Sequence, residues 1–155
     1  MKDITLHTME YLGDIIESDD VLVNFSITYY DEYKRIYERC FHKMREELEL
    51  YPVDACPSAE ELIKQSNDIF LLLENDSIIG SVAIYGNEID DLIVEDKHQH
   101  KGYALVLLRF AVAYMQKRNL SPIILRVTGW NKRAIEIYQK AGFMITKTEI
   151  IKQKS

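Results

Sequence analysis

The hydrophobic pattern along the chain changes period several times, and each change marks an element. Val21, Val23, Phe25 and Ile27 alternate with Leu22, Asn24, Ser26 and Thr28, the two-residue repeat of a half-buried strand, so Val21–Thr28 is predicted as the first strand. From Asp31 the apolar positions move to Tyr33, Ile36, Tyr37, Cys40, Phe41, Met44 and Leu48, one stripe of a helix with Lys, Arg and Glu elsewhere. Pro52 and Pro57 interrupt the chain, and Ser58 followed by Glu61 has the form of a capping box opening a helix to Gln65. Ile69–Leu73 and Ile78–Tyr85 read as strands joined by a turn, and Gly86-Asn87 leads through a second hairpin into Glu88–Val94.

Gly102–Met115 is strongly apolar with Arg109 as its only charge, and it falls short of the ~20 residues that cross a bilayer, so a buried helix is expected. A turn from Asn119 to Pro122 precedes a strand at Ile123–Val127. A helix at about Lys132–Ala141 is closed by Gly142, and a strand-like tail covers Phe143–Lys152. The order βααβββαβαβ, with meander strands inside an alternating pattern, predicts an α/β (α+β) fold: a mixed sheet with helices on both faces. Residues 1–20 match no element.

Composition narrows the reading. The 155 residues are 47% apolar and 28% charged with six glycines and three prolines, which fits a single globular domain over 1–155. The 25 acidic against 19 basic residues leave a formal charge of -6, which argues against nucleic acid or an anionic membrane as partner. Met1–Glu10 lacks the apolar run of a secretory leader, and two cysteines set no disulfide framework, so a cytoplasmic location is expected. Cys40-x-His42 and His98-x-His100 lack the spacing of a closed zinc site, and no metal is expected. Nothing places a base beside Cys40 or Cys56 to make either a nucleophile.

Two segments carry chemistry. In the first, the strand ending at Val94 passes through Glu95-Asp96-Lys97-His98-Gln99-His100-Lys101 to Gly102-Tyr103-Ala104 at the start of the apolar helix. Unpaired N–H groups and the positive end of a helix dipole suit an anion, and the basic cluster runs against the net charge; the alternative is a plain helix start beside a solvated basic loop. Neither the phosphate-binding loop of nucleotide hydrolases nor a three-glycine dinucleotide fingerprint is present. In the second segment, Asn131 caps a helix whose face carries Ala134, Ile137, Tyr138 and Ala141; taken alone, this is a capping amide with a core phenol.

In this order, Gln99-x-x-Gly102-x-Ala104 and then Asn131-x-x-Ala134-x-x-x-Tyr138 with Gly142-Phe143 resemble the GCN5-related N-acetyltransferase (GNAT) family, over about Ile69–Ile151. The resemblance implies that family's fold, order βααβββαβαββ, and acetyl-CoA as acyl donor. The amides of His100, Lys101, Gly102, Tyr103, Ala104 and Leu105, with Gln99, would hold the diphosphate. Leu92, Ile93 and Val94 would line the pantetheine arm as a strand edge, with an amide near Leu92 or Ile93 facing the carbonyl oxygen. Asn131 and Ala134 would contact the donor, and Tyr138 would protonate the departing thiolate, as a phenol of reference pKa ~10 can when held beside the sulfur. Glu88 falls where histone-type members carry a base, with Asp91 second and Asp90 beside them; an exposed hairpin shoulder is the alternative for each. Tyr29 or Tyr30 would border the acceptor pocket, while Tyr33 and Tyr37 pack in the core.

The implied activity is transfer of an acetyl group to a primary amine of a small molecule, peptide or protein in a ternary complex. The competing reading is a noncatalytic acyl-CoA-binding regulatory module. A homodimer is a further expected partner.

Overall fold

In a computed structural model, which describes residues 2–153, one seven-stranded sheet organises the chain. Its strands are β1 (Ile4–Tyr11), β2 (Val23–Asn24), β3 (Ile69–Glu74), β4 (Ser77–Tyr85), β5 (Glu88–Val94), β6 (Ile124–Thr128) and β7 (Phe143–Ile151), and its helices α1 (Tyr30–Glu47), α2 (Ala59–Lys64), α3 (Tyr103–Lys117) and α4 (Lys132–Lys140). Across the sheet the order is β2-β3-β4-β5-β6-β1-β7. All neighbours are antiparallel except β5 and β6.

Two apolar clusters clamp the sheet. On one face Leu107, Leu108, Ala111, Val112 and Met115 of α3 pack with Phe70, Val82, Ile84, Ile89, Leu125 and Phe143, and the apolar side of α4 closes over them. On the other, Tyr33 and Ile36 of α1 and Leu62 of α2 bury Phe25, Ile69, Leu71, Ala83 and Ile93. Helices therefore cover both faces, as the alternating pattern predicts. Gly80 on β4 lets α3 approach: a Cβ there would stand 2.9 Å from Leu107 Cδ1 and 2.8 Å from the Ile93 carbonyl oxygen. The Ser58 side chain accepts a hydrogen bond from the Glu61 amide at 3.2 Å, as the capping box requires.

Two expectations at the chain's ends are corrected. The predicted strand at Val21–Thr28 shrinks to Val23–Asn24, followed by a single 3-10 turn at Ile27–Tyr29. Of its four alternating apolar residues only Phe25 is buried, against Tyr33 at a ring separation of 5.5 Å, while Val21 is 81% exposed. The chain leaves the sheet after Phe25, where the Ser26 and Thr28 hydroxyls bond each other at 2.6 Å. The strand lacking from the pattern is β1, between β6 and β7. Its two buried residues, Ile4 and Met9, have opposite parity, so no alternation exposes it. Residues 143–151 form one strand, so the additional strand of the implied order lies at the front of the chain and not at its end. Among the described residues no helix is long and apolar enough to cross a membrane.

Candidate active site

The site begins with a failure of strand pairing. The parallel strands β5 and β6 pair only at Glu88↔Ile124 and Ile89↔Leu125 and then splay, leaving Asp90–Val94 without a neighbour on that side. On its other side β5 carries a bulge: Ser81 opposes Ile93 and Ala83 opposes Asp90, so Asp91 and Leu92 together face Val82. Asp91 adopts φ +45, and its amide donates to the Asp90 carboxylate at 2.8 Å. The bulge inverts the side-chain parity. Ile89 packs under α3 and Ile93 under α1, although residues four apart on a regular strand share a face. An unpaired, kinked strand edge thus faces the gap between α1, α3 and α4.

The larger of two clefts here, about 490 Å³, is lined along β5 by Leu92, Ile93 and Val94, along the loop and α3 start by His98, Gln99, His100, Gly102, Tyr103, Ala104 and Leu105, and on α4 by Asn131, Ala134 and Tyr138. Of the expected donor-binding residues only Lys101 lies outside this lining. The first turn of α3 has no side-chain cap, so its leading amides are left for another acceptor. Gly102 has φ +87, and nothing lies within 4 Å of where its Cβ would be, so the backbone can be approached closely there.

The loop before α3 is held from inside. Glu95 is only 8% exposed; its carboxylate accepts from the Lys97 amide at 2.9 Å, lies 3.3 Å from His98 Nδ1 and 3.9 Å from Arg35. Burial of Glu95 opposes ionisation, but the Lys97 amide and His98 outweigh it and hold its carboxyl below the usual range. Gln99 Nε2 and the Cys40 thiol both donate to the Val94 carbonyl, at 3.1 and 3.2 Å. Burial pushes the Cys40 thiol up to about 11, so it remains a protonated donor. Asn131 Oδ1 caps α4 by accepting from the Ala134 amide at 3.1 Å. Trp130 Nε1 donates to Glu47, tying the end of α1 to the start of α4.

The second cleft, about 290 Å³, lies between α1 and the splayed strands and is lined by Tyr37, Phe41, Met44 and Arg45 on one wall and Asp90, Asp91 and Arg126 on the other. Asp91 is the half-buried acid here. Burial first, and the Asp90 charge second, push its carboxyl up to about 7, while a hydrogen bond from the Tyr37 hydroxyl pulls the other way. Glu88 lines neither cleft; its carboxylate stands 3.8 Å from Arg126 Nε. The aromatic wall is Tyr37 with Phe41, edge to face at 4.8 Å. Tyr29 and Tyr30, expected at the acceptor pocket, line neither cleft; the Tyr30 hydroxyl is directed at the Pro57 carbonyl, 3.5 Å away. Tyr37, two turns into α1, takes the place expected for them. Phe41, Met44, Arg45 and Arg126 were not singled out by sequence reasoning as site residues. The helical stripe contained the first two only as core positions.

The clefts meet. Phe41, Met44, Leu92, Asn131 and Tyr138 line both. The Tyr138 hydroxyl has no hydrogen-bond partner among the described residues, and burial pushes it up to about 12, so it is a protonated phenol at the junction. Among the described residues no group of three potential metal ligands is brought together.

Comparison with known proteins agrees with this architecture. Residues 30–143 match the model of the acetyltransferase (GNAT) family. A search of curated proteins finds no match. Among solved structures, the chain is similar to a GNAT-family protein from Novosphingobium aromaticivorans (TM-score 0.70, 17% identity, 100% of this chain and 67% of that one). It is also similar to aminoglycoside N-acetyltransferase AAC(6')-Iy in complex with CoA (0.65, 13%, 92% and 99%). A third is the PaiA N-acetyltransferase from Thermoplasma acidophilum in complex with coenzyme A (0.60, 20%, 87% and 98%). Of some other solved matches the chain spans only 56% or 50% of the length. Identities this low speak for the fold, while the family match covers most of the sequence: the chain belongs to the GNAT acetyltransferase family.

Proposed function

We propose that the protein transfers an acetyl group from acetyl-CoA to a primary amine, with the donor in the larger cleft and the acceptor in the smaller. The observation that carries this reading is the junction of the two clefts at Tyr138, where two substrates, one in each cleft, would meet at one hydroxyl. CoA is bound in two of the similar structures, and the larger cleft here fits such a ligand: an uncapped helix start, an open Gly102 and a free strand edge. The bound thioester supplies an activated acyl carbon. The amides of residues 100–105 would hold the diphosphate, with Arg133 and Lys140 adding positive charge along the wall. Asn131 keeps its amide nitrogen free for the donor, because only its oxygen is used by the helix cap.

Asp91 is the general base in this reading, ahead of Glu88. It faces the acceptor cleft, and a carboxyl shifted to about 7 is matched to taking a proton from an amine near neutral pH. The amide of Leu92, on the bulged edge that lines both clefts, would be the donor to the developing carbonyl oxygen. Tyr138 gives its proton to the departing sulfur. Most of the acceleration comes from alignment, which supplies roughly 7–11 kcal/mol in well-oriented pairs.

The test is release of free CoA thiol from acetyl-CoA across a panel of primary amines, with product masses read in parallel. The proposal expects acceptor-dependent release that falls in Tyr138→Phe and Asp91→Asn. CoA binding with no release for any amine, and no change in either variant, would instead establish a noncatalytic acyl-CoA-binding module.

A further inference from the structure

The acceptor cleft carries charges of both signs. Asp90 and Asp91 stand on β5, whereas Arg45 projects from the last turn of α1 and Arg126 from β6. The rest of the lining combines the apolar Leu6, Phe41, Met44 and Leu92 with the Tyr37 and Tyr138 rings. Arg45 is held in place, and both arginines keep donors unused. Arg45 gives Nε and Nη2 to the Pro52 carbonyl, at 3.1 and 3.0 Å, which fixes the guanidinium and leaves Nη1. Arg126 is placed by strand alternation: Leu125 and Val127 are buried under α3, so Arg126 points to the α1 side, as does Thr128, whose hydroxyl reaches Met44 Sδ at 3.6 Å. Its ion-pair partner among the described residues, Glu88, is 3.8 Å away, beyond hydrogen-bond range, and no described residue satisfies the fork with a hydrogen bond.

A guanidinium fork prefers a planar anion, which it binds through two parallel hydrogen bonds. A simple cationic amine or a polyamine would be drawn to the aspartates but would meet two positive charges in the same small space. An acceptor with an amine at one end and an anion at the other satisfies both. Resting on the acetyl-transfer reading above, we infer that the acceptor is a small aminocarboxylate, its amine at Asp91 and its carboxylate held by Arg126 with Arg45. The cleft volume of about 290 Å³ sits at the lower end of ligand pockets and suits a molecule of amino-acid size.

The experiment compares aminocarboxylates of stepwise longer amine-to-carboxylate spacing with their carboxamide counterparts, which also stand in for a peptide N-terminus. CoA release gives kcat/KM, and calorimetry of the same compounds on the CoA-bound protein gives Kd. The best carboxylate should exceed its carboxamide by about tenfold or more, the worth of one hydrogen-bonded ion contact. Arg126→Gln and Arg45→Gln should collapse that ratio through KM, whereas a merely structural role would lower both compounds alike and leave the ratio intact. Equal or better use of the carboxamides, or an unchanged ratio in both variants, overturns the inference. The two readings fail separately. Arginine-dependent carboxylate binding without CoA release sinks acetyl transfer and keeps the aminocarboxylate site; release without discrimination does the reverse; neither binding nor release sinks both.

Discussion

The proposed donor and acceptor clefts share five residues, Tyr138 among them, but are built on different principles. The donor cleft is made largely from one continuous stretch, Leu92–Leu105, and much of its proposed work falls to backbone amides at an uncapped helix start. Side chains there need only stay out of the way. The acceptor cleft is assembled from β1, α1, β5, β6 and α4, and its chemistry rests on the charges of Asp90, Asp91, Arg45 and Arg126. A main-chain site tolerates variation and suits one constant ligand; a side-chain site at a strand splay can change its ligand by changing single residues.

The sharpest way to break this comparison is to remove one acceptor-side charge. Asp91→Asn should lower kcat/KM for the amine by roughly 10²- to 10⁴-fold, as loss of a general base does, with CoA affinity unchanged by calorimetry. The wild-type pH profile should carry an ascending limb near 7 that the variant lacks, because the carboxyl must be ionised to accept a proton. Next in size, Tyr138→Phe should cost roughly 10²-fold in kcat and leave acetyl-CoA binding within about twofold in the same titration. That pattern separates a proton donor from a packing residue.

The donor side is tested through its main chain. Gly102 and Gly86 both have positive φ, +87 and +63, and nothing within 4 Å of a built Cβ. Gly102→Ala and Gly86→Ala should each cost about 1 kcal/mol, a drop of roughly 2–4 °C in Tm for a chain of this size. Only Gly102→Ala should also weaken CoA binding, by about tenfold, because its methyl group intrudes where the anion sits.

The same Asp91 variant predicts a smaller effect on stability. A carboxyl raised from 3.8 to about 7 by folding binds its proton more tightly in the native state. Its stabilising contribution is full below about pH 4 and is lost as pH rises through 7. Thermal melts should therefore show Asp91→Asn gaining about 1–3 kcal/mol relative to wild type between pH 4 and pH 8. Smallest of all, Glu88→Gln should change turnover by less than about threefold, since Glu88 lines neither cleft.

How much could be read beforehand follows the same divide. Gln99, Gly102, Ala104, Asn131 and Tyr138 were legible because a strand, loop and helix start carry their geometry in consecutive residues. β5 was legible end to end, Glu88 to Val94, from its hairpin turn and apolar run. The acceptor cleft was not, because it depends on which residues the sheet order brings together. Asp91 and Glu88 look equivalent on paper, and the bulge with φ +45 at Asp91, a tertiary feature, separates an acid that lines the cleft from a partner of Arg126 outside it. Arg45 and Arg126 stand far apart in the chain, and only the placement of α1 over the β5–β6 splay gives them one cleft. β1 escaped because its buried Ile4 and Met9 serve opposite faces.

The claim on which the account depends is that both clefts open onto Tyr138 with the donor in the larger one. A crystal structure of the protein with CoA tests it most directly. The account predicts the diphosphate against the amides of residues 100–105 and the sulfur within hydrogen-bond reach of the Tyr138 hydroxyl. A diphosphate bound elsewhere, or a sulfur directed away from the junction, would contradict it.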